Sequence, residues 1–161
     1  MLTQLQIVFL SLAADAAVAS EKATGVPASL SLAQCVFESE WGAHMPGNNC
    51  FGLKANGRGC GNCVLPTREW VNGAWTIQNL AFEKYASLTD CFDDHGWLIS
   101  KGPPYAAAFA QFKRDGNVAA LILGVGSKYA TAPGYGQTIL TFAKSDTIQK
   151  ALRAARAKVT L

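Results

Sequence analysis

The stretch Glu38-Ser39-Glu40-Trp41-Gly42 puts a carboxylate at the end of an expected helix, beside an indole. The run before it, Pro27 to Phe37, reads as that helix. Pro27 suits a first helical position, and Leu30, Ala33, Phe37 and Trp41 recur at three- and four-residue spacing. Glu38 lies four residues after Gln34 and three before Trp41, so the three side chains are expected on one face. A carboxylate held against an aromatic ring loses solvation, and its pKa rises toward the range a general acid needs. The plainer reading is a solvated glutamate at a helix end. Glu40 sits two residues on, about 200° around a helix, and is expected to face solvent.

Working outward, Asn48 to Lys54 is a short apolar piece held by Asn and Gly, and Asn56 to Asn62 is a glycine-rich loop. Val64 to Val71, Asn72-Gly73 and Ala74 to Tyr85 then carry the strongest hairpin signal in the chain, an Asn-Gly between two β-prone runs. From Ser87 onward the pattern is helical. Ser87 with Asp90 resembles a capping box, Gly102-Pro103-Pro104 breaks the helix, and further helices follow over Tyr105 to Phe112 and Val118 to Val125. Another starts near Gly134, and Asp146 is expected to cap the last. Residues 1–161 therefore read as one α+β domain, a mostly helical body with a small inserted β-hairpin.

The bulk properties agree. A chain of 161 residues, half of them hydrophobic and 16% charged, has the composition of one globular domain rather than of a disordered segment. A formal charge of +3 would help it dwell on an anionic polymer without selecting which one. Lys150, Arg153, Arg156 and Lys158 read as a solvated helix face. The apolar run from Leu5 to Ala14 resembles a signal-peptide core, but no Lys or Arg precedes it and Asp15 stands near the expected cleavage point. It is also too short to span a membrane. Leu5, Val8, Phe9, Leu12 and Ala16 instead predict an amphipathic helix packed into the domain.

The five cysteines are Cys35, Cys50, Cys60, Cys63 and Cys91, so a monomer keeps at least one free thiol. Cys35 reads as a small buried hydrophobe. Cys60 and Cys63 leave open a tight disulfide, a redox pair or half a zinc site completed by Cys50 and His44. Asp90, Asp93, Asp94 and His95 could suggest another metal site. They also fall in the first turns of a helix, where acids favour the dipole, and that is the expectation. No metal or cofactor is expected, and neither histidine is required by the chemistry.

The layout sets a helix ending in an acid opposite a hairpin. Thr67-Arg68-Glu69-Trp70 puts a second carboxylate, Glu69, on the first strand, facing opposite to Arg68 and Trp70. Two carboxylates across a cleft lined by Trp41, Trp70, Trp75, Tyr129 and Tyr135 suit the holding and hydrolysis of a sugar chain. The expected gap exceeds the ~5–5.5 Å of a retaining pair, leaving room for a water.

Six pieces in order carry a resemblance: Ala33-Gln34, Glu38-Ser39-x-Trp41-Gly42, Asn48-Asn49-x-Phe51-Gly52-Leu53-Lys54, Thr67-x-Glu69, Phe82-x-x-Tyr85-x-Ser87, and Tyr129-Ala130-Thr131-x-Pro133-x-Tyr135. Over roughly Ser29 to Leu140 the chain resembles the bacterial peptidoglycan glucosaminidases of glycoside hydrolase family 73. The resemblance implies a lysozyme-like α+β fold and cleavage of the β-1,4 glycan strand after N-acetylglucosamine, with Glu38 as general acid. It further implies an assisting role for Glu69 and places Tyr129 near the cleaved sugar, where it would orient the acetamido group. The implied substrate-binding positions are Gln34, Trp41, Asn49, Phe51, Trp70 and Tyr135. The implied partner is the peptidoglycan strand, met by a monomer with no nucleic acid or membrane partner, in a phage endolysin or a domain of a secreted autolysin. One departure is Ala132, where the family commonly has Asp before the proline; the Cys50 to Cys63 loop is another. The alternatives are a muramidase or lytic transglycosylase on the same polymer, and a wall-binding module without turnover.

Overall fold

The computed structural model describes residues 1–71, 73–130 and 132–159, and the side chains of residues 69–71 lie outside the described part. The chain runs α1 (Gln4–Thr24), α2 (Ala28–Glu38), a 3-10 turn (Pro46–Asn48), β1 (Gly61–Val71), β2 (Ala74–Lys84), α3 (Leu88–Lys101), α4 (Ala106–Asp115), α5 (Val118–Tyr129), α6 (Tyr135–Lys144) and α7 (Asp146–Val159). This is the expected helical body with one inserted antiparallel hairpin.

The second helix sits at the centre. Ala28, Leu32, Cys35 and Val36 join one cluster of buried residues, with α1, Phe51, Phe92 and α7. Leu30 and Ala33 join a second, with Ile99, Leu121, Val125, Tyr135 and Ile139. A helix apolar on both sides must be buried on both sides, and this one carries Glu38 out to its last turn.

Helix α1 packs into the domain as expected, with Phe9 and Ala16 buried, but its packed face is turned from the expected one. Phe9, Leu10, Ala13, Ala14, Ala16 and Ala17 are buried, whereas Leu5, Val8 and Leu12 are exposed. Alanines let neighbouring backbones approach closely, so the helix buries its small-residue face, which a search for large apolar side chains overlooks. Thr3 and Gln6 form a reciprocal capping box at its start. At the other end of the chain, Ser145 rather than Asp146 caps α7, its hydroxyl accepting from the Ile148 amide at 3.4 Å. Two of the C-terminal cations are paired with α1, Arg156 with Glu21 at 3.0 Å and Lys158 with Asp15 at 2.7 Å.

Val71 pairs with Ala74, so the hairpin connection has the two-residue length Asn72-Gly73 predicts. Asn72 itself is outside the described residues. Along β1, Cys63, Leu65 and Thr67 are half-buried while Val64, Pro66 and Arg68 are exposed. Cys60 precedes β1 and Cys63 lies within it. All five cysteines are free, with Cys50 and Cys91 sulfurs 3.8 Å apart in the core.

The root of the hairpin is fastened by buried polar groups. The carboxylate of Glu83, 2% exposed, accepts from the backbone amides of Asn56, Gly57 and Gly59. Asn49 donates to the carbonyls of Leu53 and Glu83 at 2.8 and 3.0 Å and accepts from the Leu53 amide. Asp94 on α3 accepts from Tyr85 at 2.7 Å, Asn56 at 2.8 Å and Arg58 at 3.3 Å.

The Asn56 amide above all, then those of Gly57 and Gly59, hold the Glu83 carboxyl below its usual pKa of 4.5. A depressed folded pKa means that this stabilisation is complete above about 4.5 and is lost as pH falls through the lower folded value. Glu83→Gln is expected to cost about 1.5–3 kcal/mol at pH 7 and to flatten the acid limb of stability. Thermal unfolding across pH 3 to 7 checks this, and an unchanged acid limb would refute the role given to Glu83.

Candidate active site

Helix α2 ends where the site begins. Ser39 closes it, its hydroxyl donating to the Cys35 carbonyl at 2.6 Å and accepting from the Gly42 amide at 2.9 Å. Glu40, Trp41 and Gly42 then take left-handed backbone angles, with φ of 49°, 62° and 84°. The helical register therefore does not extend to Trp41. Its half-buried indole packs on Phe142 and borders a groove with Leu5, Val8, Phe9 and Leu12 of α1. The ring that meets Glu38 is another one.

That ring is Tyr135, at the first turn of α6. Its hydroxyl donates to Glu38 Oε1 at 2.6 Å and accepts from Gln34 Nε2 at 2.9 Å. Gln34 Oε1 in turn faces His95 Nε2 at 3.1 Å. Burial lifts the half-buried Glu38 carboxyl above its usual pKa, and the Tyr135 hydrogen bond opposes that rise. The net shift is upward, the direction a general acid needs. Glu40 is exposed, 3.5 Å from His44, which suits no role in a dry site.

The structure gathers some of the sequence-derived positions and redirects others. Gln34, Tyr135 and Glu38 form one hydrogen-bonded chain. Gln34 is fully buried and Tyr135 is 6% exposed, and their hydrogen bonds join each other and, through Tyr135, Glu38. Asn49 and Phe51 are likewise turned inward. Asn49 is buried with its amide engaged by backbone, and Phe51 is buried in a stack on His95 at 3.9 Å and 11°. Tyr129 is half-buried, donates to the Phe51 carbonyl at 3.1 Å and lies parallel to Tyr135 at 5.9 Å. Trp75 is exposed on the hairpin beneath the Arg68 guanidinium at 5.0 Å. Glu69 is placed by its backbone pairing with Thr76. Its side chain and that of Trp70 lie outside the described residues, as does the Glu38–Glu69 separation; Thr131 is also outside them.

His95 is the site residue that sequence reasoning missed. It follows Phe92 by three and precedes Ile99 by four, which puts it on the buried stripe of α3. A histidine in such a stripe needs a buried partner, and that was the available signal.

Three comparisons bear on this arrangement. The family model described as mannosyl-glycoprotein endo-beta-N-acetylglucosaminidase matches residues 14–147. The peptidoglycan hydrolase FlgJ of Escherichia coli (strain K12) is 32% identical over 124 residues, covering 72% of this chain and 39% of FlgJ. A protein named "Probable N-acetylmuramidase" from Lactococcus lactis subsp. cremoris (strain MG1363) is 30% identical over 142 residues, covering 82% of this chain and 32% of that protein. The chain thus spans about a third of the length of these relatives. Among solved structures, the glycoside hydrolase domain of Salmonella typhimurium FlgJ in C-terminally truncated form superposes with a TM-score of 0.67 at 26% identity, over 86% of this chain and 95% of that one. The catalytic domain of the autolysin Auto from Listeria monocytogenes shares the fold, with a TM-score of 0.77 at 22% identity over 94% and 89% of the two chains. With the family pattern matched across 134 of its 161 residues (14 to 147 inclusive), this chain belongs to the glucosaminidase family, glycoside hydrolase family 73.

Proposed function

We propose that this domain hydrolyses the β-1,4 glycan strand of peptidoglycan after N-acetylglucosamine, with Glu38 as general acid. The observation that carries the reading is the half-buried Glu38 carboxyl, raised in pKa and held by Tyr135 at 2.6 Å at the mouth of the central helix. Family membership and the FlgJ relative support the polymer.

Glu38 protonates the leaving glycosidic oxygen. Glu69 activates a water from the hairpin side, or the substrate acetamido group attacks the anomeric carbon. Tyr129 fits a role beside the sugar through its stacking on Tyr135. The setting we infer is the bacterial cell wall, reached by a monomer as an endolysin or as a domain of a secreted autolysin. No helix among the described residues is long and apolar enough to cross a membrane.

A muramidase is the second reading, favoured by the relative that carries that name. Mass spectrometry of digested peptidoglycan separates them: N-acetylglucosamine at the new reducing ends is expected. Muramic acid there would establish the muramidase, and an anhydro-muramic product a transglycosylase. Glu69→Gln should lose less activity than Glu38→Gln, because an acetamido route proceeds in part without a protein base. Equal losses would make Glu69 indispensable and exclude that route.

A further inference from the structure

Four groups stand in one line through the domain: His95 on α3, Gln34 and Glu38 on α2, and Tyr135 on α6. The contacts are 3.1 Å from His95 Nε2 to Gln34 Oε1, 2.9 Å from Gln34 Nε2 to the Tyr135 oxygen, and 2.6 Å from that oxygen to Glu38 Oε1. Each link has a direction, because a phenol has one proton and an amide has distinct ends. The line can therefore run two ways only.

Running outward, His95 Nε2–H donates to Gln34, Gln34 donates to Tyr135, and Tyr135 donates to Glu38 Oε1. A protonated Glu38 then carries its proton on Oε2. Running inward, Glu38 holds its proton on Oε1 and gives it to Tyr135, which turns to Gln34. The amide of Gln34 then points its N–H at His95 Nε2, and the imidazole proton moves to Nδ1.

The far nitrogen decides between them. His95 is fully buried, and its Nδ1 has no hydrogen-bond partner. Phe51 covers the ring face at 3.9 Å. An N–H there would have no acceptor, and buried N–H groups without acceptors are rarer than buried acceptors without donors. The inward direction strands such an N–H, and the outward one does not.

We propose that His95 is a positioning residue which locks the chain in the outward direction and so keeps the acidic proton of Glu38 on Oε2, free of Tyr135. This rests on the reading of Glu38 as the general acid. Burial also holds His95 neutral, with its pKa pulled down to about 3, so the lock persists across the working pH range. The titratable groups around the line are Tyr105, Tyr129, Tyr135 and Cys50. Burial raises the pKa of each, so none adds a charge near neutral pH.

The test begins with the intact wild-type protein. Nitrogen-15 spectra of its two histidines, His44 and His95, are recorded from pH 5 to 8. His95 is expected to stay neutral, with its proton on Nε2 and a bare Nδ1. A proton on Nδ1 of His95 would overturn the proposal regardless of any activity result.

The second arm compares pH profiles. Tyr135→Phe deletes the donor to Glu38, so the alkaline limb of kcat/KM should move to higher pH. His95→Phe lets the Gln34 amide turn over; kcat should fall about tenfold with KM unchanged, and the limb should move the same way by less. The double variant should show no shift beyond Tyr135→Phe. A folded His95→Phe with a wild-type profile refutes the lock, and if that variant does not fold the tautomer measurement still decides. Failure of the underlying reading shows elsewhere, as an active Glu38→Gln.

Discussion

Glu38→Gln is expected to lower wall lysis by about 10²–10⁴-fold, the range that general acid catalysis contributes, while leaving the fold intact. Glutamine is nearly isosteric and still accepts the Tyr135 hydrogen bond through its amide oxygen, so the chain to Gln34 and His95 survives. What it lacks is a proton to give the leaving oxygen. Lysis of purified walls and thermal unfolding together check the result. Residual activity above about a tenth of wild type, from pure protein, would remove Glu38 from the acid's role. The paired control is Glu40→Gln, whose exposed carboxylate near His44 should matter little to either readout.

The second large effect comes from a backbone contact. A Cβ on Gly126 of α5 would collide with the Gly136 backbone of α6, whose amide nitrogen would lie 2.9 Å away. Two considerations oppose each other in Gly126→Ala. Alanine gains about 1 kcal/mol of helix propensity, whereas forcing two backbones apart costs about 1–3 kcal/mol and occasionally more. Backbone cannot swing aside as a side chain can, so the clash is expected to win. The net loss is up to about 2 kcal/mol, or as much as roughly 4–8 °C in Tm. Activity should fall further than stability alone explains, because α5 ends at Tyr129 and α6 begins at Tyr135. Widening their gap draws Tyr135 off Glu38. A more stable Gly126→Ala would mean that the helices are not held at backbone contact.

Much of this was legible in the sequence, for identifiable reasons. The central helix announced itself through its apolar spacing, and the hairpin through Asn72-Gly73 between two β-prone runs. Ser87 was readable as a cap and accepts from the Asp90 amide at 3.2 Å. Glu38 followed from its place at a helix end.

The misreadings also have physical causes. Trp41 was assigned by extending a helical period through three residues that adopt left-handed angles, and a period carries no stop signal of its own. The α1 face was chosen by side-chain size, while the packing used alanines. For Gln34, Asn49 and Phe51 sequence does not supply the partners: the Asn49 amide is engaged by backbone, the Gln34 amide by Tyr135 and His95, and Phe51 stacks on His95. Glu83 gave no signal because its partners are backbone amides, which every residue possesses.

The hairpin has mechanical consequences. Among the described residues its two strands form a two-stranded sheet, bridged at its root by Lys54 opposite Phe82, and eight residue steps of extended chain separate Gly61 from Glu69, about 26 Å. It is a lever with its fulcrum at Glu83, Asn49 and Asp94. A tilt of about 5° at that fulcrum displaces the Glu69 backbone by roughly 2 Å. The stiffness of a few amide contacts at the root therefore sets how precisely the far end of the hairpin is placed, and substitutions there would loosen it from a distance.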